Sequence, residues 1–229
     1  MDLRCLACHA RDEQPDLWSR LTAARAPAVS AGYDDEEEAS AGSVHLGRPE
    51  LTWTGEKLHA DWLRRLLTGE LGYRTRSEIQ GRMPAFPAYG AWLAAGLAHQ
   101  HGVPDRREPR PAPDPALTMV GRQLTGVEGG FGCVSCHDVG TQAALAGPDT
   151  ATINFAFVTD RLRPSYYWRY IRDPQRLRPG TMMPSFIGED GSTPIQQVLD
   201  GNATRQFEAI WHYLRSLEGT APVETPANR

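Results

Sequence analysis

Two five-residue strings hold the residues best suited to chemistry: Cys5-Leu6-Ala7-Cys8-His9 and Cys133-Val134-Ser135-Cys136-His137. Together they use all four cysteines of the 229-residue chain. Each is a C-x-x-C-H, the spacing at which two thiols reach the vinyl groups of one porphyrin while the next imidazole swings beneath its iron. Other thiol chemistry fits less well. Zinc-ribbon pairs stand about 15–20 residues apart, whereas 125 positions separate Cys8 from Cys133. A dithiol redox pair would explain one C-x-x-C beside a βαβ pattern, but not a His after both copies. Cysteines this close in sequence rarely staple a fold through a disulfide.

A second signature follows each string, Met83-Pro84-Ala85-Phe86 and Met183-Pro184-Ser185-Phe186. A thioether is a soft sixth ligand for haem iron and, opposite a His, raises the reduction potential. The proline fixes its own φ and stiffens the loop. Met182 competes with Met183, though only Met183 stands in the Met-Pro-x-Phe register; His45 and His59 are weaker rivals to Met83. His9 to Met83 spans 74 residues and His137 to Met183 spans 46. Of the 28 extra residues, 24 precede Leu58, where an acidic run, Asp34 to Glu38, marks an insertion at about 30–45 and reads as a solvated loop.

These groups need elements to hold them. Leu58, Trp62 and Leu66 recur at helical spacing after Glu56-Lys57; Leu162, Tyr166 and Tyr170 do so after Asp160-Arg161. Each half then closes on a further helix. Tyr89, Leu93 and Leu97 line the first, ended by Gly102 and Pro104. Phe207, Ile210, Leu214 and Leu217 line the second, with Asn202 or Thr204 as N-cap and Gly219 as stop. Between the halves, residues 104–116 include five prolines in twelve positions and read as a semi-rigid extended spacer. The expected organisation is a first domain over 1–103, that linker, a second domain over 117–220 and a tail at 221–229.

Composition sets the outer bounds. A formal charge of −4 gives no support to nucleic-acid binding. No stretch approaches the run of about 18 apolar residues that a membrane span requires. Of 24 basic residues only Lys57 is a lysine, so a charged docking surface would be built from arginine.

Taken together, these residues resemble class I cytochrome c domains, two in tandem, over nearly the whole chain. The resemblance rests on both C-x-x-C-H strings, the helical stripes, the Met-Pro loops and the closing helices. Arg176-Leu177-Arg178-Pro179-Gly180-Thr181-Met182-Met183-Pro184 is similar to the Met loop of haem modules at the ends of larger secreted bacterial proteins. The resemblance implies an all-α, loop-rich fold and two covalently attached haem c groups. Cys5, Cys8, Cys133 and Cys136 would be thioether anchors, His9 and His137 proximal ligands, and Met83 and Met183 distal ligands. It further implies that the carbonyl of Pro49 or Pro148 accepts a hydrogen bond from a ligating His.

Such domains open with a helix that crosses the closing one. The second half has a candidate in Leu117, Val120, Gly121 and Leu124; the first half has none, because Cys5 comes so early. Covalent haem is installed outside the cytoplasm, so a periplasmic or other extracytoplasmic location is expected, with no signal peptide in this chain. Because only Met1-Asp2-Leu3-Arg4 precede Cys5, the chain reads as a processed or excised piece; the alternative is a cytoplasmic chain that never receives haem. The single lysine departs from cytochromes that dock through a lysine ring. The implied role is single-electron transfer between redox partner proteins, or from an upstream domain or subunit of a larger complex. A di-haem oxidoreductase, peroxidase-like or thiosulfate-oxidising, with the first haem as reactive centre, is the alternative; a non-redox interaction module is the third reading.

Overall fold

Three α-helices among the described residues start on side-chain caps. Asp114 accepts from the N–H groups of Ala116 and Leu117, and Pro115 takes the first helical position, where a missing N–H costs little. Asn202 accepts from Arg205 N at 3.0 Å, and Asp173 from Arg176 N at 3.1 Å. A computed structural model of the chain describes residues 3–17, 19–21, 49–75, 83–107, 109–147 and 152–220. The acidic run, His45, Pro148 and the 221–229 tail lie outside the described residues. The chain divides into two compact units, residues 1–54 and 55–229.

The helices are α1 (Thr54–Lys57), α2 (Ala60–Thr68), α3 (Gly90–Gln100), α4 (Pro115–Thr125), α5 (Val158–Arg161), α6 (Pro164–Arg172), α7 (Pro174–Leu177) and α8 (Ala203–Ser216). Single 3₁₀ turns join them, and there is no strand among the described residues. The all-α expectation therefore holds at the level of class. No helix among the described residues is long and apolar enough to cross a membrane.

Within the second unit, α2 packs on α3. Trp62, Leu63 and Leu67 of α2 meet Ala94 and Ala98 of α3, with Leu93, Leu97 and Phe86 partly buried against them. The buried stripe of α3 is thus Gly90, Ala94 and Ala98; Tyr89, expected on the inner face, is an exposed N-cap. The small residues let the helix backbones approach, which turns the larger side chains aside. In the later half α4 crosses α8, as the expected opening helix should. A Cβ built on Gly121 would stand 2.1 Å from the Ala209 carbonyl oxygen, so only glycine fits the crossing. Phe207, Ala209, Ile210, Trp211, Tyr213 and Leu214 form the buried face of α8. Tyr167 of α6 donates its hydroxyl to the Phe207 carbonyl at 2.8 Å.

Two runs in this unit repeat at a separation of 104 residues. α1 and α5 are both four residues long, and α2 and α6 are both nine. The runs meet where their extended connectors pair. Leu58 and Leu162 form an antiparallel bridge, flanked by hydrogen bonds from His59 N to Arg161 O at 2.9 Å and from Arg163 N to Lys57 O at 3.0 Å. The sequence stripes place Leu58 and Leu162 inside helices. Both instead precede them, because each connector spends its backbone groups on the other and the helix begins two residues later.

Charge closes the same seam. Arg65 Nη2 donates to both oxygens of Asp160 at 2.9 Å, and Arg169 pairs with Glu56. Lys57 lies over the Tyr166 ring, 5.4 Å from its centroid. The proline-rich stretch lies inside this unit and is held by arginine contacts. Arg107 Nη2 reaches Asp61 at 3.1 Å and the Asp160 carboxylate at 3.4 Å, while Arg163 Nη2 donates to Pro104 O at 2.8 Å. Arg110 binds Thr159 O and Glu218, and Arg215 binds Pro111 O.

Candidate cofactor-attachment sites

The two C-x-x-C-H strings have the same local shape. Cys5–Ala7 and Cys133–Ser135 each wind into one 3₁₀ turn. The His9 N–H then bonds Cys5 O at 2.9 Å, and the His137 N–H bonds Cys133 O at 3.0 Å. Both turns begin from a left-handed residue, Arg4 at φ 49° and Gly132 at φ 70°. Glycine adopts that backbone freely, whereas a side chain there costs on the order of 1–2 kcal/mol. Each string is followed by a tight paired turn, Arg11 with Gln14 and Val139 with Gln142. Each is also tied to a later segment, by Leu51 N to Ala10 O at 2.9 Å and by Phe155 N to Asp138 O at 2.9 Å.

The imidazoles are fixed through one nitrogen. His9 Nδ1 lies 2.8 Å from the Pro49 carbonyl, and His137 Nδ1 lies 2.8 Å from the Ile153 carbonyl. A carbonyl oxygen can only accept, so Nδ1 carries a proton in both rings, and in the neutral ring the lone pair then lies on Nε2. That is the tautomer a metal-ligating imidazole needs. Burial pushes the pKa of His137 below its ordinary value, against the Ile153 hydrogen bond and the Asp138 charge, which favours the neutral ring. The Phe155 ring stacks on His137 with centroids 4.7 Å apart. For the first His the expected Pro49 acceptor is found. For the second the acceptor is Ile153 rather than Pro148, and Ile153 stands 104 residues after Pro49, in the same register as the helices.

None of the four thiols is in a disulfide. Burial pushes the Cys133 thiol up to about 12, opposite to the low value a reactive redox dithiol requires. No group of three or more His, Cys, Asp and Glu among the described residues could hold a metal ion. Two thiols followed by an imidazole held through Nδ1 fit a thioether-linked haem better than zinc, since the set would offer two sulfurs for thioether bonds and one ring nitrogen for iron.

The Met183 loop is pinned to the helices before it. The Tyr170 and Thr181 hydroxyls lie 3.2 Å apart, Met183 N donates to Thr181 Oγ1 at 3.3 Å, and Ser185 Oγ donates to Arg172 O at 3.1 Å. Gln175 closes the loop by accepting from Gly180 N and donating to Thr181 O. Within it Met183 is half-buried, while Met182 is 64% exposed. Phe131, two residues before Cys133, packs 4.8 Å from Phe186 and 5.7 Å from Phe207. One aromatic cluster thus joins the second C-x-x-C-H segment, the Met183 loop and α8. In the earlier Met-Pro-x-Phe segment, Phe86 N bonds Leu67 O at 2.6 Å and its ring joins the α2–α3 core. Met83 is 42% exposed.

Sequence reasoning missed several residues that set this geometry. Ile153 could have been found by adding the constant register to Pro49. Gln206, fully buried in α8, has no such signal: it accepts from Thr193 Oγ1 at 2.6 Å and donates to the carbonyls of Ile195 and Val198, fastening the loop after the Met segment. His59, a rival ligand by sequence, is buried at the head of α2 with neither ring nitrogen hydrogen-bonded. Burial, then the charges of Arg107 and Arg163, lower its pKa to about 4.

Comparisons with protein-family models, with curated proteins and with solved structures returned no match.

Proposed function

We propose that this chain is a di-haem c-type cytochrome that carries single electrons between redox partners outside the cytoplasm. The observation that carries the reading is the duplicated attachment geometry: two C-x-x-C-H turns of the same local form, each with its imidazole Nδ1–H spent on a backbone carbonyl and Nε2 left to bind iron. Bound there, haem supplies a one-electron Fe(III)/Fe(II) couple.

The chain's own residues hold and shield that couple. Cys5 and Cys8 would anchor one group and Cys133 and Cys136 the other, and His9 and His137 would each give Nε2 to one iron. Met183 would be the second protein ligand of the second centre, supported by its half-buried place in a pinned loop. Met83 is assigned to the first by the Met-Pro-x-Phe register. A His and a Met held in place by the fold would let a bound haem exchange an electron with little rearrangement of the chain. Phe131, Phe155, Phe186 and Phe207 give the second site an apolar lining. The intact mass of native protein tests the reading. Two covalent haem additions are expected, and a mass equal to the bare polypeptide overturns it.

A second reading rests on the sequence pattern: a peroxidase-like or thiosulfate-oxidising enzyme would need an exchangeable position on the first haem, to which Met83 is assigned by register alone. A resting high-spin signal, or binding of cyanide by one of two haems, selects that reading over electron transfer alone.

A further inference from the structure

The second site carries a hydroxyl contact with no counterpart on His9 Nδ1 among the described residues. Thr152 Oγ1 stands 2.8 Å from His137 Nδ1, the nitrogen that also meets the Ile153 carbonyl at 2.8 Å. The hydroxyl proton is engaged elsewhere, donated to Cys136 O at 3.0 Å, and Thr152 N bonds the same carbonyl at 2.8 Å. These two bonds fix the rotamer and turn an oxygen lone pair toward the ring. Because the Ile153 carbonyl requires a proton on Nδ1, the hydroxyl can only accept there, and the Nδ1–H is shared between two oxygens. Position 48, the register equivalent of Thr152, is Arg, whose side chain has no acceptor.

We propose that Thr152 is a positioning residue for the second centre: by accepting from the His137 Nδ1–H alongside Ile153, it makes the imidazole a more electron-donating iron ligand and lowers the reduction potential of that haem. Hydrogen bonds to the far nitrogen of a ligating His raise its basicity, and a more basic ligand favours Fe(III) over Fe(II). The inference rests on the di-haem reading. It adds that the two centres are tuned differently, through a hydroxyl inside the attachment segment itself.

The test is potentiometric titration of the native di-haem protein beside Thr152→Val and Thr152→Ser, with haem content and thermal midpoint measured on each. Thr152→Val keeps the shape and removes the hydroxyl. It is expected to raise the reduced-to-oxidised ratio of the second haem roughly threefold at fixed ambient potential, the scale of one modest hydrogen bond, and to leave the first haem unchanged. Thr152→Ser is expected to restore the native ratio. Two bound haems with an unmoved potential in Thr152→Val overturn the proposal, as does a Thr152→Ser that behaves like Val, since that assigns the effect to packing. If Thr152→Val does not fold, Thr152→Ala replaces it under the same criteria. A native protein without haem overturns the di-haem reading itself, and the mass measurement shows which of the two has failed.

Discussion

Arg65 binds Asp160 across the seam of the second unit, and the residues 104 positions away from each, Arg169 and Glu56, bind one another in return. The pairing is reciprocal, as in an isologous interface between two copies of one protein, here between two runs of one chain. The Leu58–Leu162 bridge lies between these ion pairs, with one backbone hydrogen bond on each side of it. Repeats that meet through the same surface are aligned by the same few side chains. Damage at one position should therefore loosen both.

Asp160 has the most partners in that seam. Besides Arg65 and Arg107 it accepts from the Tyr73 hydroxyl at 2.8 Å, which in turn accepts from Trp62 Nε1 at 2.7 Å. Burial alone would raise its pKa, but the hydrogen bonds from Arg65 and Tyr73 and the charges of Arg65 and Arg107 hold it below the ordinary value. Asp160→Asn keeps the shape, takes the counter-charge from Arg65 and leaves Arg107 with Asp61 alone. A loss of about 1–3 kcal/mol in urea unfolding is expected. Glu70→Gln, which breaks the exposed Arg64–Glu70 pair, should leave the midpoint unchanged. Equal effects from the two would show that the seam is no stronger than a surface contact.

Gly121 gives a packing prediction. With the Ala209 carbonyl 2.1 Å from any added Cβ, Gly121→Ala must push α4 and α8 apart, and the obstacle is backbone that cannot rotate away. Overpacking of this kind costs about 1–3 kcal/mol, a fall in thermal midpoint on the order of 5 °C for a chain this size. Gly96→Ala serves as control, because a Cβ there meets nothing within 4 Å. The control should be neutral or slightly stabilising.

His59 predicts a pH dependence. Its ring is buried beside Arg107, Arg163 and Arg110, with only Asp61 opposing them, and its pKa falls from 6.5 to about 4. The unfolded chain takes up a proton as pH drops through 6.5 and the folded one does not, so stability is full above that value and declines below it. By pH 4.5 the loss should reach about 2–3 kcal/mol. His59→Leu should flatten the curve between pH 7 and 4.5. An unchanged slope in that variant would place the titrating group elsewhere.

Much of this was legible because the motifs are local. C-x-x-C-H, the Asn202 cap and the glycine at the α4–α8 crossing each act within a few residues, or through a side chain whose absence is itself the signal. The seam was not legible. The sequence shows Glu56-Lys57-Leu58 and Asp160-Arg161-Leu162 as similar lead-ins to two helices, but pattern along a chain cannot say that the two lead-ins bind each other. The helix periodicity even argued the wrong way, since Leu58 and Leu162 share spacing with residues of the helices they precede. Ile153 was hidden for a different reason: a backbone carbonyl can come from any residue, so only register, not residue type, points to it.

The assignment of Met183 over Met182 turns register and burial into a spectroscopic prediction. The two are adjacent, yet one is half-buried and the other 64% exposed. Thr181 Oγ1 holds the Met183 N–H, and Phe186 packs on Phe131 beside the second attachment turn, so rotating Met182 inward would break both contacts. Met183→Ala should therefore abolish the sulfur-to-iron charge-transfer band of one haem and lower its potential, while Met182→Ala leaves both unchanged. On the di-haem proposal, Met83→Ala should do the same for the other haem. Loss of the band in Met182→Ala instead would reverse the assignment, and with it the claim that the Met-Pro-x-Phe register marks the ligand.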